Sequence, residues 1–330
     1  MTIGIAVYGP LAGLATFKAL QAVERITRGA IGGFASLVVI TAEGELLHAE
    51  TQRGGSGTLF GAGEVTEGGP PPAFAAAPMA AVMSSGPDRP VPLSQFTPAR
   101  AGVGLVTGHR LPNMPGVDGV PLNRAVLDRM AQGEPAPEAV RAELARNPGA
   151  DAGIIALDVA GRIFAGNSAL VGRRPDIGRA VVRAAGSDTA VAVLHNAIHP
   201  HAPLAQLAVA VALDVVDPID RADFSVRLDA GTRVERGIEN CVYVDGGNVA
   251  RAVTVTEPGW LQGRRDGSVV GFAAAIRRGD ELLGYATAEP YGVVEAGRIV
   301  SLSGAASTDL GVRLPRPARS GTSPATWIVE

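Results

Sequence analysis

The densest group of reactive side chains in the sequence is a histidine cluster near residue 200. His195, His199 and His201 place three of the five histidines within seven residues. Imidazoles at such short spacing can share a metal ion, which is one hypothesis for the cluster. The other is that His195 and Asn196 line a pocket where a strand ends and a helix N-terminus can hold an anion. Pro200 favours the pocket, because a His-x3-His pair shares one face only within a continuous helix.

A second group of polar residues follows an apolar run in the middle of the chain. His109 and Arg110 come one glycine after residues 102–107, and Asn113 lies three positions further on. Imidazole can shuttle protons, and a guanidinium can hold a carboxylate through two hydrogen bonds. We therefore expect His109 to act in catalysis and Arg110 and Asn113 to bind substrate. A salt bridge within the loop is the alternative.

Asp88 and Arg89 form a third candidate group. They lie in the segment 84–90, which also contains two prolines and a glycine. Charged residues at such a point can contact a ligand, so both are candidate substrate-binding residues. The alternative, which the glycine and prolines favour, is a tight structural turn.

The composition argues against several classes of protein. The formal charge is only −3 and the basic residues are scattered, so nucleic acid and anionic membranes are not expected partners. Lys18 is the only lysine, so a Ser-Lys dyad or a Schiff base would have to use Lys18 or the α-amine. The single Cys241 excludes an intrachain disulfide framework. With neither a secretory signal pattern nor a run of about 18 apolar residues, we expect a cytoplasmic protein, and we expect no cofactor.

Two similar successions of elements position the candidate residues. Each is a strand, a helical segment and a hairpin. The predicted bounds are 3–8, 11–27, 34–41 and 45–50 in the first unit, and 102–107, 121–147, 151–158 and 162–167 in the second. The hairpin strands are almost continuously apolar, which is typical of sheets covered on both faces. The two units therefore predict an α+β fold, a four-layer αββα sandwich.

The remaining sequence predicts further elements and a domain boundary. Residues 73–83 and 177–185 are predicted to be helical, 189–194 to be a strand, and 204–216 to be a buried helix. From about residue 218 the sequence changes to short strands with Gly and Asp turns. We therefore predict one domain at 1–217 and a β-rich region at 218–330, within which 313–323 form a surface arm.

Residues 100–167 and 22–46 carry a family resemblance. The first segment contains the Pro112-Asn113 turn, a helix pair at 127–141 and the hairpin at 152–163. These segments resemble the N-terminal nucleophile (Ntn) hydrolase superfamily, in particular bacterial Ntn-like proteins and, more distantly, isoaspartyl peptidases and plant-type asparaginases. The resemblance implies an amide-bond hydrolase whose nucleophile begins a sheet strand and whose base is its own α-amine.

Thr2 is the candidate for this nucleophile. It begins the first strand and follows a methionine that a processing aminopeptidase would remove before so small a residue. Its α-amine, with a reference pKa of about 8, could take the hydroxyl proton without a side-chain base. The alternative is that Thr2 is simply the first residue of a strand.

These observations lead to one leading function and two alternatives. The leading function is an Ntn-type amidohydrolase that cleaves a small-molecule amide. We expect an anionic or amide-containing ligand and a homo-oligomer. The first alternative is a non-catalytic small-molecule binding or assembly protein with the same fold. The second is a metal-dependent hydrolase that uses His195, His199 and His201.

Overall fold

The computed structural model describes residues 1–27, 31–61, 68–183, 189–218 and 220–315. The fold is mixed α+β, and it divides into two compact units between Asp217 and Pro218. None of the helices in these ranges combines the length and the apolar character needed to cross a membrane.

The first unit contains two sheets and six α-helices in its described part. Its strands are β1 (Thr2–Tyr8), β2 (Ala35–Ile40), β3 (Leu46–Thr51), β4 (Met79–Ser85), β5 (Ala99–Arg100), β6 (Gly104–Arg110), β7 (Ala152–Asp158), β8 (Ile163–Asn167), β9 (Ile177–Arg183) and β10 (Ala190–Asn196). Its helices are α1 (Ala12–Ile26), α2 (Ser56–Leu59), α3 (Pro72–Ala75), α4 (Leu122–Ala131), α5 (Ala136–Arg146) and α6 (His201–Val216). The sheets have the strand orders β3-β2-β4-β1-β10-β9 and β5-β6-β7-β8, and the pairs are antiparallel.

Three of the four apolar clusters in the described part of the first unit connect its sheets and helices. In the first, alternate residues of β1 such as Ile5 pack against Phe17 of α1 and against α6. The second lies between the two sheets, where Ala6 of β1 shares a cluster with Leu105 of β6. The third joins β6 and β7 to α4 and α5, around residues such as Leu127. Strand β1 is therefore buried on both faces, which explains its continuous hydrophobicity.

The main chains of β1 and β6 meet directly between the sheets. A Cβ atom added to Gly4 would lie 2.4 Å from the carbonyl oxygen of Gly108, closer than real Cβ atoms come to backbone. Neither strand can carry a side chain at this point without moving. The contact lies two residues from Thr2 on one strand and two residues from Arg110 on the other, so it fixes the spacing of these two strand ends.

Several predictions about secondary structure need correction. The helix predicted at 73–83 is wrong, because only α3 is helical and residues from Met79 onward form β4. Strand β4 pairs on both sides, with β1 and β2, and those hydrogen-bonded ladders override the helix propensity of its alanines. The helix predicted at 177–185 is also wrong, because β9 occupies the segment up to Arg183; residues 184–188 lie outside the described residues.

Two other predictions are modified. Helix α6 is not buried all round, because Leu207 remains 39% exposed on its outer side. The segment predicted as one helical stretch at 121–147 is divided into α4 and α5, with Pro135 as the cap residue that begins the second helix. Of the arm predicted at 313–323, residues 316–323 lie outside the described residues, and Arg313 itself ends a strand.

In its described part the second unit consists of β-strands and one short 3₁₀ helix, Pro258–Leu261. Its strands are β11 (Phe224–Asp229), β12 (Arg233–Arg236), β13 (Cys241–Val244), β14 (Ala250–Val255), β15 (Arg264–Ser268), β16 (Ala275–Arg278), β17 (Glu281–Ala286), β18 (Tyr291–Glu295), β19 (Arg298–Leu302) and β20 (Ser307–Arg313). They form one sheet in the order β11-β20-β17-β16-β13-β14-β12-β19-β18-β15. Cys241 is fully buried, and burial raises the pKa of its thiol.

Candidate functional site

Five strand ends of the first unit place polar residues together. Because β1 runs antiparallel to both its neighbours, its first residue, Thr2, pairs with the last residues of β4 and β10, Ser85 and Asn196. Strands β6 and β8 of the other sheet end at Arg110 and Asn167. The site therefore lies at one end of the space between the two sheets.

The Thr2 hydroxyl is held from both sheets. It donates a hydrogen bond to Oδ1 of Asn196 at 2.6 Å and accepts one from the main-chain N–H of Arg110 at 2.5 Å. Thr2 is only 6% exposed. Arg110 has a φ of +62°, an uncommon conformation for a residue other than glycine that costs about 1 kcal/mol. Asn196 thus orients the proton of the hydroxyl, and the N–H of Arg110 orients one of its lone pairs.

The guanidinium of Arg110 is engaged elsewhere. Its Nε and Nη2 atoms bind the two carboxylate oxygens of Asp151, the second at 2.6 Å. The hydrogen bond from Arg110 is the main cause that lowers the pKa of Asp151. Because the guanidinium is bound to Asp151, Arg110 contacts Thr2 through its main-chain N–H rather than through its side chain.

His109 is buried between the sheets as a neutral ring. Its Nε2 lies 2.7 Å from Oδ1 of Asn167, which assigns the proton to Nε2 because that oxygen can only accept. Its Nδ1 is buried and has no partner in the described ranges. Burial lowers the pKa of His109 to about 4, against the opposing effects of Asn167 and Asn196. Gly153 leaves room for the pair, because a Cβ there would lie 2.3 Å from both side chains.

Arg89 lies near Thr2 on the side of strand β4. Unlike Arg110, it is not paired with a carboxylate in the described ranges. Its Nη2 donates to Oγ of Ser85 at 2.7 Å, and that hydroxyl donates to the carbonyl oxygen of Met1 at 2.7 Å. Arg89 makes no salt bridge to any residue that the structure describes, whereas its neighbour Asp88 pairs with Arg53 on the surface. An uncompensated cation therefore lies one hydroxyl group away from the peptide bond between Met1 and Thr2.

The surroundings of this peptide bond also affect amine basicity. Burial lowers the pKa of the Met1 amino group, and the positive charges of Arg110 and Arg89 lower it further. The Met1 amine is consequently neutral over more of the physiological pH range than an amine in water.

The remaining candidate residues lie outside this group. His195 precedes Asn196 on β10, so its side chain points to the opposite face of the sheet. The rings of His199 and His201 stack with centroids 3.9 Å apart. Within the described ranges, no group of three or more His, Cys, Asp or Glu residues could hold a metal ion. Asn113 lines an open cleft of about 400 Å³ whose lining does not include Thr2.

The lowered pKa values of two buried histidines predict how the stability of the protein depends on pH. Burial lowers the pKa of both His109 and His195 to about 4 from an ordinary value of 6.5. Between these values the unfolded chain binds protons that the folded protein does not, so the free energy of unfolding is expected to fall as the pH drops from about 6.5 towards 4. Urea unfolding at several pH values measures this slope. His195→Gln is expected to reduce it by up to about 1.4 kcal/mol per pH unit; an unchanged slope would show that His195 is not the group responsible.

Sequence reasoning missed three contributors to the site. Ser85, Asp151 and Asn167 were not among the candidates, although Ser85 and Asn167 each end an apolar run. A polar residue at the end of a buried strand is a usable signal. For Asp151, which precedes β7, only the pairing with Arg110 reveals its role.

A family model covers all but one residue of the site. The model of a family described as a domain of unknown function, DUF6963, matches residues 2–225. The chain belongs to this family. The DUF6963 match includes every residue of the site except Met1. A second family model, described as a domain of unknown function, DUF7259, matches residues 231–307 in the second unit. No curated protein matches the chain.

Proposed function

We propose that the chain is an Ntn-type amidohydrolase that uses Thr2 as its nucleophile and cleaves a small amide with an anionic group. One observation carries the proposal. The Thr2 hydroxyl begins the central strand β1 and is held between Asn196 and the N–H of Arg110 at the end of the intersheet space. Such a position suits a hydroxyl whose own α-amine acts as its base.

The arrangement of cores supports an αββα sandwich of the Ntn type. The cores follow one another as helices α1 and α6 against a sheet, that sheet against the second sheet, and the second sheet against α4 and α5. We propose that this is the four-layer sandwich predicted from the sequence.

The chemistry requires a free amine on Thr2. Whatever precedes Thr2, the bond between residues 1 and 2 must first be broken. The amine then takes the hydroxyl proton while Oγ1 attacks the amide carbon of the substrate. The same proton passes to the leaving nitrogen, which departs as ammonia or an amine, and water hydrolyses the resulting ester. Burial and the positive charges of Arg110 and Arg89 lower the pKa of the neighbouring Met1 amine. We expect the same surroundings to favour the neutral form of a Thr2 amine.

Charge balance supports an anionic substrate group. Arg110 and Arg174 are paired with Asp151 and Asp176, whereas Arg89 has no carboxylate partner in the described part of the chain. A guanidinium binds a carboxylate well, so we assign this role to Arg89.

Mass spectrometry and a matched pair of amides test the proposal. The natively expressed protein is expected to begin at Thr2 and to release ammonia from succinamate, which carries a carboxylate, faster than from the neutral diamide succinamide. A chain that begins at Thr2 and hydrolyses neither compound would contradict an amidohydrolase of this specificity. If such a chain nevertheless binds succinate, the non-catalytic binding function is the correct one.

A further inference from the structure

The turn that carries Arg89 is held by a side chain distant in sequence. Nε2 of Gln52 donates to the carbonyl oxygen of Arg89 at 2.7 Å, and Oε1 of Gln52 accepts from the N–H of Arg89 at 2.9 Å. Two hydrogen bonds of opposite direction to one residue are the pattern of an antiparallel strand pair. The amide of Gln52 thus takes the place of a paired strand just after β4 ends.

Gln52 itself belongs to a loop that is fastened to α1. Glu24 of α1 accepts hydrogen bonds from the N–H of Ser56 at 2.9 Å and from its hydroxyl at 2.5 Å. A Cβ added to Gly55 would lie 2.3 Å from a carboxylate oxygen of Glu24, so glycine is needed for this approach. The loop that begins with Gln52 is therefore held in place on helix α1.

Few other contacts hold the Arg89 turn to this loop. Arg53 forms an ion pair with Asp88 at 2.5 Å, but the two side chains are 73% and 61% exposed. Exposed ion pairs contribute little to stability. The paired hydrogen bonds of Gln52 are consequently the main restraint that the loop places on the Arg89 main chain.

We propose that Gln52 is a positioning residue for anion binding. It fixes the main chain of Arg89, and the guanidinium is thereby held against Ser85, whose hydroxyl contacts the Met1 carbonyl beside Thr2. This inference rests on the proposed function, in which Arg89 binds the anionic group of the substrate. Without the restraint, Arg89 occupies its binding position for a smaller fraction of the time, and the apparent affinity falls by that fraction.

Calorimetric binding of succinate tests the inference without requiring turnover. Gln52→Ala in the full chain is expected to weaken succinate binding roughly tenfold, because the two lost hydrogen bonds no longer hold Arg89 in its binding position. Arg53→Ala, in the same loop, is the matched control and should change the affinity less than about twofold. Gln52→Met keeps the side-chain length without the hydrogen bonds, and it replaces the alanine variant if that variant fails to fold.

A double variant shows whether Gln52 acts through Arg89. If it does, Gln52→Ala adds no further loss of succinate affinity in the Arg89→Ala background, since the two changes remove the same interaction. In turnover assays, Gln52→Ala should raise KM for succinamate with little change in kcat, and it should raise KM for the neutral succinamide much less. A purely structural role would instead lower kcat for both amides.

The outcomes separate this inference from the proposed function. Wild-type protein that fails to bind succinate, or a Gln52→Ala variant that binds it as tightly as wild type, overturns the inference whatever the turnover. Additive losses in the double variant also overturn it. Gln52-dependent binding of succinate by a protein without amidase activity would support the inference while contradicting the proposed amidohydrolase.

Discussion

Replacing Thr2 by valine is expected to lower amide turnover by about 10³-fold or more. Valine keeps the shape and β-branching that suit the first residue of β1, but it removes the oxygen that would attack the substrate. Loss of a nucleophile typically removes the whole contribution of the groups that act with it. The measurement is the rate of ammonia release from succinamate by chains shown by mass to begin at residue 2.

Thr2→Ser is the control for this experiment. Serine retains a hydroxyl for Asn196 and Arg110, so we expect measurable turnover. Valine also leaves buried polar groups of both partners unpaired, at a cost of about 1–3 kcal/mol, so the unfolding free energy of each variant has to be measured beside its rate. Wild-type turnover by a folded Thr2→Val protein would rule out Thr2 as the nucleophile.

Gly4→Ala is expected to have the second largest effect, and on stability as well as turnover. The added methyl group would lie 2.4 Å from the carbonyl oxygen of Gly108, so β1 and β6 must move apart. Overpacking of this kind costs typically about 1–3 kcal/mol. The same movement would lengthen the hydrogen bond between the N–H of Arg110 and Thr2, so turnover should fall even where the protein remains folded.

Urea unfolding and turnover of Gly4→Ala check this prediction. Gly172→Ala is the matched control, because a Cβ there would meet nothing within 4 Å and the glycine has an ordinary backbone conformation. The control is expected to stay within about 0.5–1 kcal/mol of wild type. Equal stability of the two variants would show that the two sheets tolerate a wider separation than their backbone contact indicates.

Secondary structure could be predicted where one periodicity dominates a segment. The hairpin formed by β7 and β8 can be predicted from two apolar runs around a turn at Gly161. Helix α1 can be predicted from the helical spacing of its apolar residues. Strand β4 could not be predicted in the same way, because Met79–Ser85 is rich in alanine and serine. Its pairing with β1 and β2 determines its structure, and those partners are distant in sequence.

The candidate site was only partly accessible from the sequence. Thr2, Arg110 and Asn196 were selected for separate reasons, and the structure brings them into hydrogen-bonding contact. The sequence could not show that Arg110 contributes its main chain, since Asp151 becomes its partner only when β6 and β7 pair. Gln52 gave no signal at all, because an amide that binds main-chain atoms leaves no pattern in residue types.

The peptide bond between Met1 and Thr2 bears on how preparations of this protein should be compared. An amide nitrogen cannot accept the hydroxyl proton, so under the proposed mechanism every chain is synthesised as an inactive precursor. Ser85 holds the carbonyl of that bond, and Thr2 is almost wholly enclosed. Specific activity would then report the processed fraction of the molecules as much as their intrinsic rate. Two laboratories with different expression hosts would obtain different values from identical sequences, and titration of free N-terminal threonine would reconcile them.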